Sequence, residues 1–276
     1  MKRQCDTLVN GMKIHSLVAG SPQSPPLVLL HGYPTNAYLW RRCIPGLAEH
    51  FRVYAPDLPG HGDSDKPLDA EYDLDYFLRF LVAYFSVLNL PKAHLAVHDL
   101  GGAVGLGFAS RNPEMVEKLI VMDSAPYKEW SGTLKKVVAR ARSPIWSQVL
   151  LCKPVFGAAL RDVGVYCRGA ITAETAERYR RSWVKNRASR KAFSRVICAP
   201  PEAITERREN LRRIKSPTLI LWGQNDRMMG TDTARELASD IPGSQLKIIP
   251  SCGHFLQEDN PEAVTENMLK FLADVE

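Results

Sequence analysis

The 276-residue sequence has no run approaching the roughly 18 apolar residues a helix needs to cross a bilayer, so no membrane span is expected. Met1-Lys2-Arg3-Gln4-Cys5-Asp6 is followed by no apolar stretch, so no signal peptide is expected either. Cysteine is sparse and scattered: the six lie at 5, 43, 152, 167, 198 and 252, with no C-x-x-C pair. That pattern argues against a disulfide framework and against a structural metal, and for a reducing cytoplasm. Internal repeats and low-complexity segments are absent. Net charge is +6, yet no nucleic-acid-binding motif accompanies it. Acid is scarce in one region. Between Tyr127 and Arg195 only Glu129, Asp162, Glu174 and Glu177 oppose a long series of lysines and arginines. This basic excess reads as a solvated helical surface, or as a field that draws an anionic substrate or an acidic partner.

What is present is ordinary globular material, 45% hydrophobic and 24% charged, enough for one large core and an inserted subdomain. Asn10-Gly11 between Thr7–Val9 and Met12–Val18 is a hairpin signal. Pro26–Leu30, Phe51–Ala55, Ala93–Val97, Leu119–Met122, Pro217–Trp222 and Gln245–Ile249 read as further strands, the first of them a continuous apolar run. Tyr76–Leu88 and Pro261–Val275 have helical spacing. From Tyr127 to about Ile204 apolar and basic residues interleave at helical spacing, with no strand-like run. The expected architecture is α/β: a mostly parallel twisted sheet flanked by helices, with a helical cap inserted after the sixth strand. The expected division is a core of residues 1–126 and 207–276 and a cap of 127–206.

One stretch organises the rest: Leu95-Ala96-Val97-His98-Asp99-Leu100-Gly101-Gly102. A buried strand runs into a small-residue helix, with Asp99 at the junction. A lone reactive side chain on a sharp strand-to-helix turn is a nucleophile elbow, which usually reads G-x-S-x-G; here the position of the serine holds Asp99. Asp226 and His254 fall after later expected strands, so the chain order is nucleophile, acid, histidine, and sites form at carboxyl ends of parallel strands. Asp123, which ends the sixth strand, is the alternative acid. An ionised carboxylate needs no base to attack a saturated carbon, and it forms an ester there. Attack on an ordinary ester carbonyl would give an anhydride, a poor intermediate. Asp99 therefore points to C–halogen or strained C–O bonds, with His254 activating water and Asp226 steadying the imidazole.

The sequence resembles the haloalkane dehalogenase and epoxide hydrolase branch of the α/β-hydrolases. The likeness is strongest at His31-Gly32-Tyr33-Pro34, at Pro56-Asp57-Leu58-Pro59-Gly60-His61-Gly62 and at His254-Phe255-Leu256-Gln257-Glu258-Asp259-Asn260-Pro261. The resemblance implies a small-molecule substrate, no cofactor, no metal, and an oxyanion hole from the backbone N–H groups of Tyr33 and Leu100. It implies a leaving-group donor at Trp146 in the cap, and cap tyrosines as proton donors in an epoxide hydrolase, with Tyr127, Tyr166 and Tyr179 as candidates. Tyr33 and Leu100 depart from dehalogenases of this kind, which carry Asn or Trp at the first position and Trp at the second to hold the halide. A dehalogenase-like enzyme is the first expectation. An opener of epoxides, or of another strained ether or lactone, is the alternative, and a ligand-binding protein on a hydrolase fold is the reading from another class.

Overall fold

A computed structural model describes residues 3–124, 127, 130–197 and 208–273. Eight strands form one sheet in the order β1-β2-β4-β3-β5-β6-β7-β8. β1 (Arg3–Val9) and β2 (Met12–Ala19) make the expected hairpin, with Asn10 at φ 51° and Gly11 at φ 77°. Both turn residues are thus left-handed, the conformation that matches a two-residue turn to the strand twist. β2 pairs antiparallel with β4 (Arg52–Pro56). All later pairings are parallel, through β3 (Pro26–Leu30), β5 (Ala93–His98), β6 (Val116–Met122), β7 (Thr218–Gly223) and β8 (Gln245–Ile249). β5 and β7 are buried at every residue, as the unbroken apolar runs require of strands covered on both faces. β6 begins three residues earlier than its apolar run, because Val116 pairs with Ala93 and carries the polar Glu117 and Lys118 into the ladder.

Helix α1 (Leu74–Val87) is opened by the Asp73 carboxylate, which accepts the Tyr76 N–H at 2.7 Å. It buries Phe77, Phe80 and Leu81 and, one turn on, Tyr84 and Phe85, a single apolar stripe at helical spacing. Helix α2 (Leu100–Arg111) follows β5 and is buried from Gly101 to Ser110, which explains its small, apolar sequence.

Between β6 and β7 every regular element among the described residues is helical: α3 (Gly132–Arg142), α4 (Pro144–Leu150), α5 (Lys153–Ala159), α6 (Ala173–Val184) and α7 (Arg187–Arg195), with short turns between. Ser131, Ser143, Thr172 and Asn186 cap four of these helices through side-chain oxygens, which breaks the segment into short pieces. The segment is tied to the loops beyond the sheet. Trp183 donates its indole N–H to the Pro34 carbonyl at 2.8 Å, and the Phe255 N–H reaches the Gly164 carbonyl at 2.7 Å. The expected boundaries at 126/127 and 206/207 involve residues 126, 206 and 207, which lie outside the described residues. After β7 come α8 (Thr231–Asp240) and α9 (Pro261–Ala273). No helix of the described residues is long and apolar enough to cross a membrane.

Candidate active site

Asp99 stands between β5 and α2 with φ 52° and ψ −117°, a region few non-glycine residues enter. The strain is held by its neighbours. The Ser124 hydroxyl and the Gly102 N–H both donate to the Asp99 carbonyl at 2.9 Å. Glycine is required on either side of the turn. A Cβ at Gly32 would lie 2.3 Å from Asp99 Oδ1, and one at Gly101 would lie 2.5 Å from the His31 carbonyl oxygen. The absence of those atoms lets the two loops close around the carboxylate.

The Tyr33 N–H donates to Asp99 Oδ1 at 2.7 Å, and the Leu100 N–H also bonds the carboxylate. His254 Nε2 lies 3.4 Å from Asp99 Oδ2. On its other side His254 Nδ1 donates to Asp226 Oδ2 at 2.9 Å. Asp226 is fixed in turn, its Oδ1 accepting the N–H groups of Met228 and Met229 at 2.7 and 3.0 Å. Burial opposes the charge of Asp99, yet the hydrogen bond and charge of His254 outweigh it and hold the carboxyl below its ordinary range. Burial likewise opposes a charged His254, but Asp226 and Asp99 together raise its pKa well above the ordinary histidine value. The imidazole thus lies between two carboxylates that both favour its charged form.

Asp123 belongs to the same cluster without touching the ring. It is fully buried, its Oδ1 accepts the Gly223 N–H at 2.9 Å, and its carboxyl meets that of Asp226. Burial and the adjacent Asp226 charge raise its pKa well above the carboxylate range. Three other histidines brace the loops. His98 Nε2 donates to the His254 carbonyl at 2.8 Å, and burial pushes its pKa down to about 3. His31 Nδ1 donates to the Gly32 carbonyl while its Nε2 accepts the Leu58 N–H, each at 3.0 Å. His61 Nδ1 donates to the Pro59 carbonyl at 3.2 Å.

Asp99 opens into a cavity of about 280 Å³. Its wall is almost wholly apolar: Leu134, Val138, Leu150, Phe156 and Phe193 from the helical segment meet Met228, Met229 and Phe255 from the sheet side. Arg140 and Asp162, both exposed, are the other charged residues of the lining. Of the many basic residues in the segment, only Arg140 reaches the wall among the described residues. Trp130 is also part of the wall, and its indole N–H is buried without a hydrogen-bond partner among the described residues.

The aromatic residues proposed by resemblance are elsewhere. Trp146 is 53% exposed on the outside of α4 and does not line the cavity, because α4 turns Ser147 and Leu150 inward. Tyr127 points its hydroxyl at Asp240 Oδ2, 2.6 Å away, and Tyr166 is 53% exposed. Tyr179 is buried and donates to Glu258 Oε1 at 2.5 Å; burial and the Glu258 charge hold its phenol well above the usual tyrosine range. None of the four stands in the cavity wall. Glu258 itself is fully buried and takes a bidentate pair from Arg41 at 2.6 and 2.8 Å, so one carboxylate joins the loop after β3, the His254 loop and α6. Sequence reasoning passed over Glu258, although it lies four residues after His254, and over Trp130. A bulky indole directly before the Ser131 helix cap was the available signal for Trp130.

One group among the described residues has the composition of a metal site: His15, Asp57 and Asp63. Asp57 Oδ1 and Oδ2 accept the backbone N–H groups of Ala37 and Asp63, both at 2.7 Å, so the carboxylate serves as a loop brace.

Residues 25–261 match the alpha/beta hydrolase fold family. A soluble epoxide hydrolase of Corynebacterium sp. (strain C12) is 30% identical over 96% of this chain and 96% of its own. A haloalkane dehalogenase of Mycobacterium marinum is 30% identical over 94% of this chain and 89% of its own. The crystal structure of a serine hydrolase involved in carbazole degradation superposes with a TM-score of 0.83 at 26% identity, covering 99% of both chains. With the family matched over most of its length and relatives of this kind, the chain belongs to the alpha/beta hydrolase fold family, in the branch that includes epoxide hydrolases and haloalkane dehalogenases.

Proposed function

We propose that the protein is a hydrolase that attacks a saturated carbon with Asp99 and passes through an aspartyl ester. The observation that carries this reading is the identity of the elbow side chain: an ionised carboxylate within 3.4 Å of a buried histidine, at the wall of an apolar cavity. Asp99 Oδ displaces the leaving group, which departs with the bonding electrons. The resulting ester has lost one of the two charges that favour the protonated ring, so the neutral imidazole, the form that acts as a base, is reached more easily with any proton passing to solvent. It then takes a proton from water, and the hydroxide adds to the ester carbonyl. The Tyr33 and Leu100 N–H groups stabilise the oxyanion; on its collapse the departing alkoxide takes the proton back from His254 and leaves as an alcohol, and the regenerated Asp99 carboxyl loses its remaining proton to solvent. Asp226 holds the ring in place throughout, and the helical segment of about 127–206 acts as the cap that keeps bulk water from the first step.

The leaving group is the open variable. Trp130 supports a halide or another stable anion, since an indole N–H can solvate such a group but is too weak an acid to protonate an alkoxide. A second reading, epoxide opening, is favoured by Tyr33, a residue of the same cavity lining that carries a phenol able to donate a proton. A panel of bromoalkanes, chloroalkanes and epoxides, scored for halide and for diol, tests both. Halide release that falls in Trp130→Phe supports the first. Diol release that falls in Tyr33→Phe supports the second. An enzyme that cleaves carboxylic esters readily and neither of these classes would overturn the proposal.

A further inference from the structure

The outer face of the helical segment differs from the rest of the surface in two respects. Helices α3, α4 and α7 pack against one another, and their sequences contain not one aspartate or glutamate. Lys135, Lys136 and Arg142 on α3 and Arg187, Arg190 and Lys191 on α7 are all exposed. Arg190 reaches across to Gln148 Oε1 at 3.2 Å, which sets the basic face of α7 beside α4. The second feature is apolar. At the start of α4, Ile145 is 75% and Trp146 53% exposed, and the Ser143 cap that accepts the Trp146 N–H at 3.3 Å fixes the turn that presents them. The inner sides of the same helices wall the cavity through Leu134, Val138 and Phe193. Arg140 is at once exposed and part of that wall, so the cavity meets the surface along this face.

We propose that this face docks on an anionic phospholipid surface. Ile145 and Trp146 enter the interfacial layer, and the lysines and arginines meet the lipid phosphates, so that the cavity faces apolar compounds dissolved in the membrane. A basic face built on helices without acidic residues attracts any polyanion, although exposed Asp162 stands in the cavity wall with Arg140, and two bulky apolar side chains gain free energy only where an apolar layer receives them. Tryptophan is the side chain best suited to the headgroup boundary. A nucleic acid offers phosphates without that layer, and a second copy would set the basic face against itself. The docking does not depend on the chemistry assigned to Asp99.

The test is flotation of the full chain with vesicles of phosphatidylcholine alone and of phosphatidylcholine mixed with phosphatidylglycerol. Binding is expected to the mixed vesicles, roughly tenfold or more above that to the neutral ones, and to fall as salt rises. The double variant Ile145→Ser with Trp146→Ser, whose side chains lie outside the cavity wall, should keep the thermal midpoint and lose most of the vesicle binding, on the order of tenfold. Quenching of wild-type tryptophan fluorescence by brominated lipid gives a readout that needs no variant. Failure to bind the mixed vesicles overturns the proposal, as does binding that the double variant retains in full. A DNA fragment bound in preference to the vesicles, or self-association abolished by the double variant, would assign the face to another partner and overturn it equally.

Discussion

The sheet and the helical segment above it solve opposite problems with opposite faces. In the sheet the apolar residues close on themselves: β5 and β7 are buried throughout and expose nothing. In the helical segment the apolar side faces a cavity and the polar side is basic. The same contrast holds for the polar groups. Those at the ends of the strands are gathered into one cluster, with His254 between Asp99 and Asp226 and Asp123 beside Asp226. The helical segment offers the cavity few polar groups: Trp130, Arg140 and Asp162. The difference assigns the two regions separate tasks in the proposed mechanism: the strand ends supply the reacting groups, and the segment supplies shape, dryness and the fate of the leaving group.

The comparison breaks most severely at the strand ends. Asp99→Ala should lower turnover on the order of 10⁴-fold or more, with an unchanged circular dichroism spectrum. Full activity in the folded variant would remove the nucleophile. His254→Gln should stop ester hydrolysis, by roughly 10³-fold, while leaving ester formation possible, so the intact mass should rise by the alkyl group after mixing with a substrate. A mass that stays constant where the wild type turns over would show that no ester forms.

A change of pH should reproduce that block in the wild type. Asp99, held below the usual carboxylate range, stays ionised in mild acid and still attacks. In the ester His254 faces the Asp226 carboxylate alone and must be neutral to act as a base, so falling pH removes the base while the nucleophile persists. Ester should therefore accumulate as pH falls towards about 5, and rapid hydrolysis there with no adduct would contradict the assignment of His254.

The helical segment should give smaller effects. Trp130→Phe should slow the first step by about a hundredfold, the usual consequence of losing one charge-stabilising donor, and chloride should suffer more than bromide. Trp146→Phe should leave the rate unchanged, because that ring lies outside the cavity wall. Equal effects at the two positions would erase the distinction drawn between them. The smallest change is expected at Asp123→Asn, which keeps the side-chain shape and removes the ionisable group beside Asp226; a loss beyond about tenfold would mean that Asp123 does more than support its neighbour.

Much of the sheet could be read directly because its signal is local. A run such as Leu219-Ile220-Leu221-Trp222 is a strand wherever it is buried, and Asn10-Gly11 specifies its turn without help from the rest of the chain. The cluster was legible because β5, β6 and β7 are adjacent and parallel, so residues at their carboxyl ends meet. Direction was not legible. Trp146 and Trp130 are both indoles beside a serine cap, yet one faces solvent and the other the cavity, and helix packing decides which. Tyr179 is drawn away from the cavity by Glu258, a partner 79 positions distant in the chain. Neither outcome follows from spacing alone.

The most direct test follows the oxygen atoms. In a single turnover of a bromoalkane or epoxide substrate, with enzyme in excess and in heavy-oxygen water, solvent oxygen that adds to the Asp99 ester must remain in the Asp99 carboxylate. The account predicts heavy oxygen in the peptide that bears Asp99 and none in the first product released, whose new oxygen comes from the protein. Heavy oxygen in the product, with an unlabelled Asp99 peptide, would mean that water attacks the substrate directly and would contradict the ester mechanism.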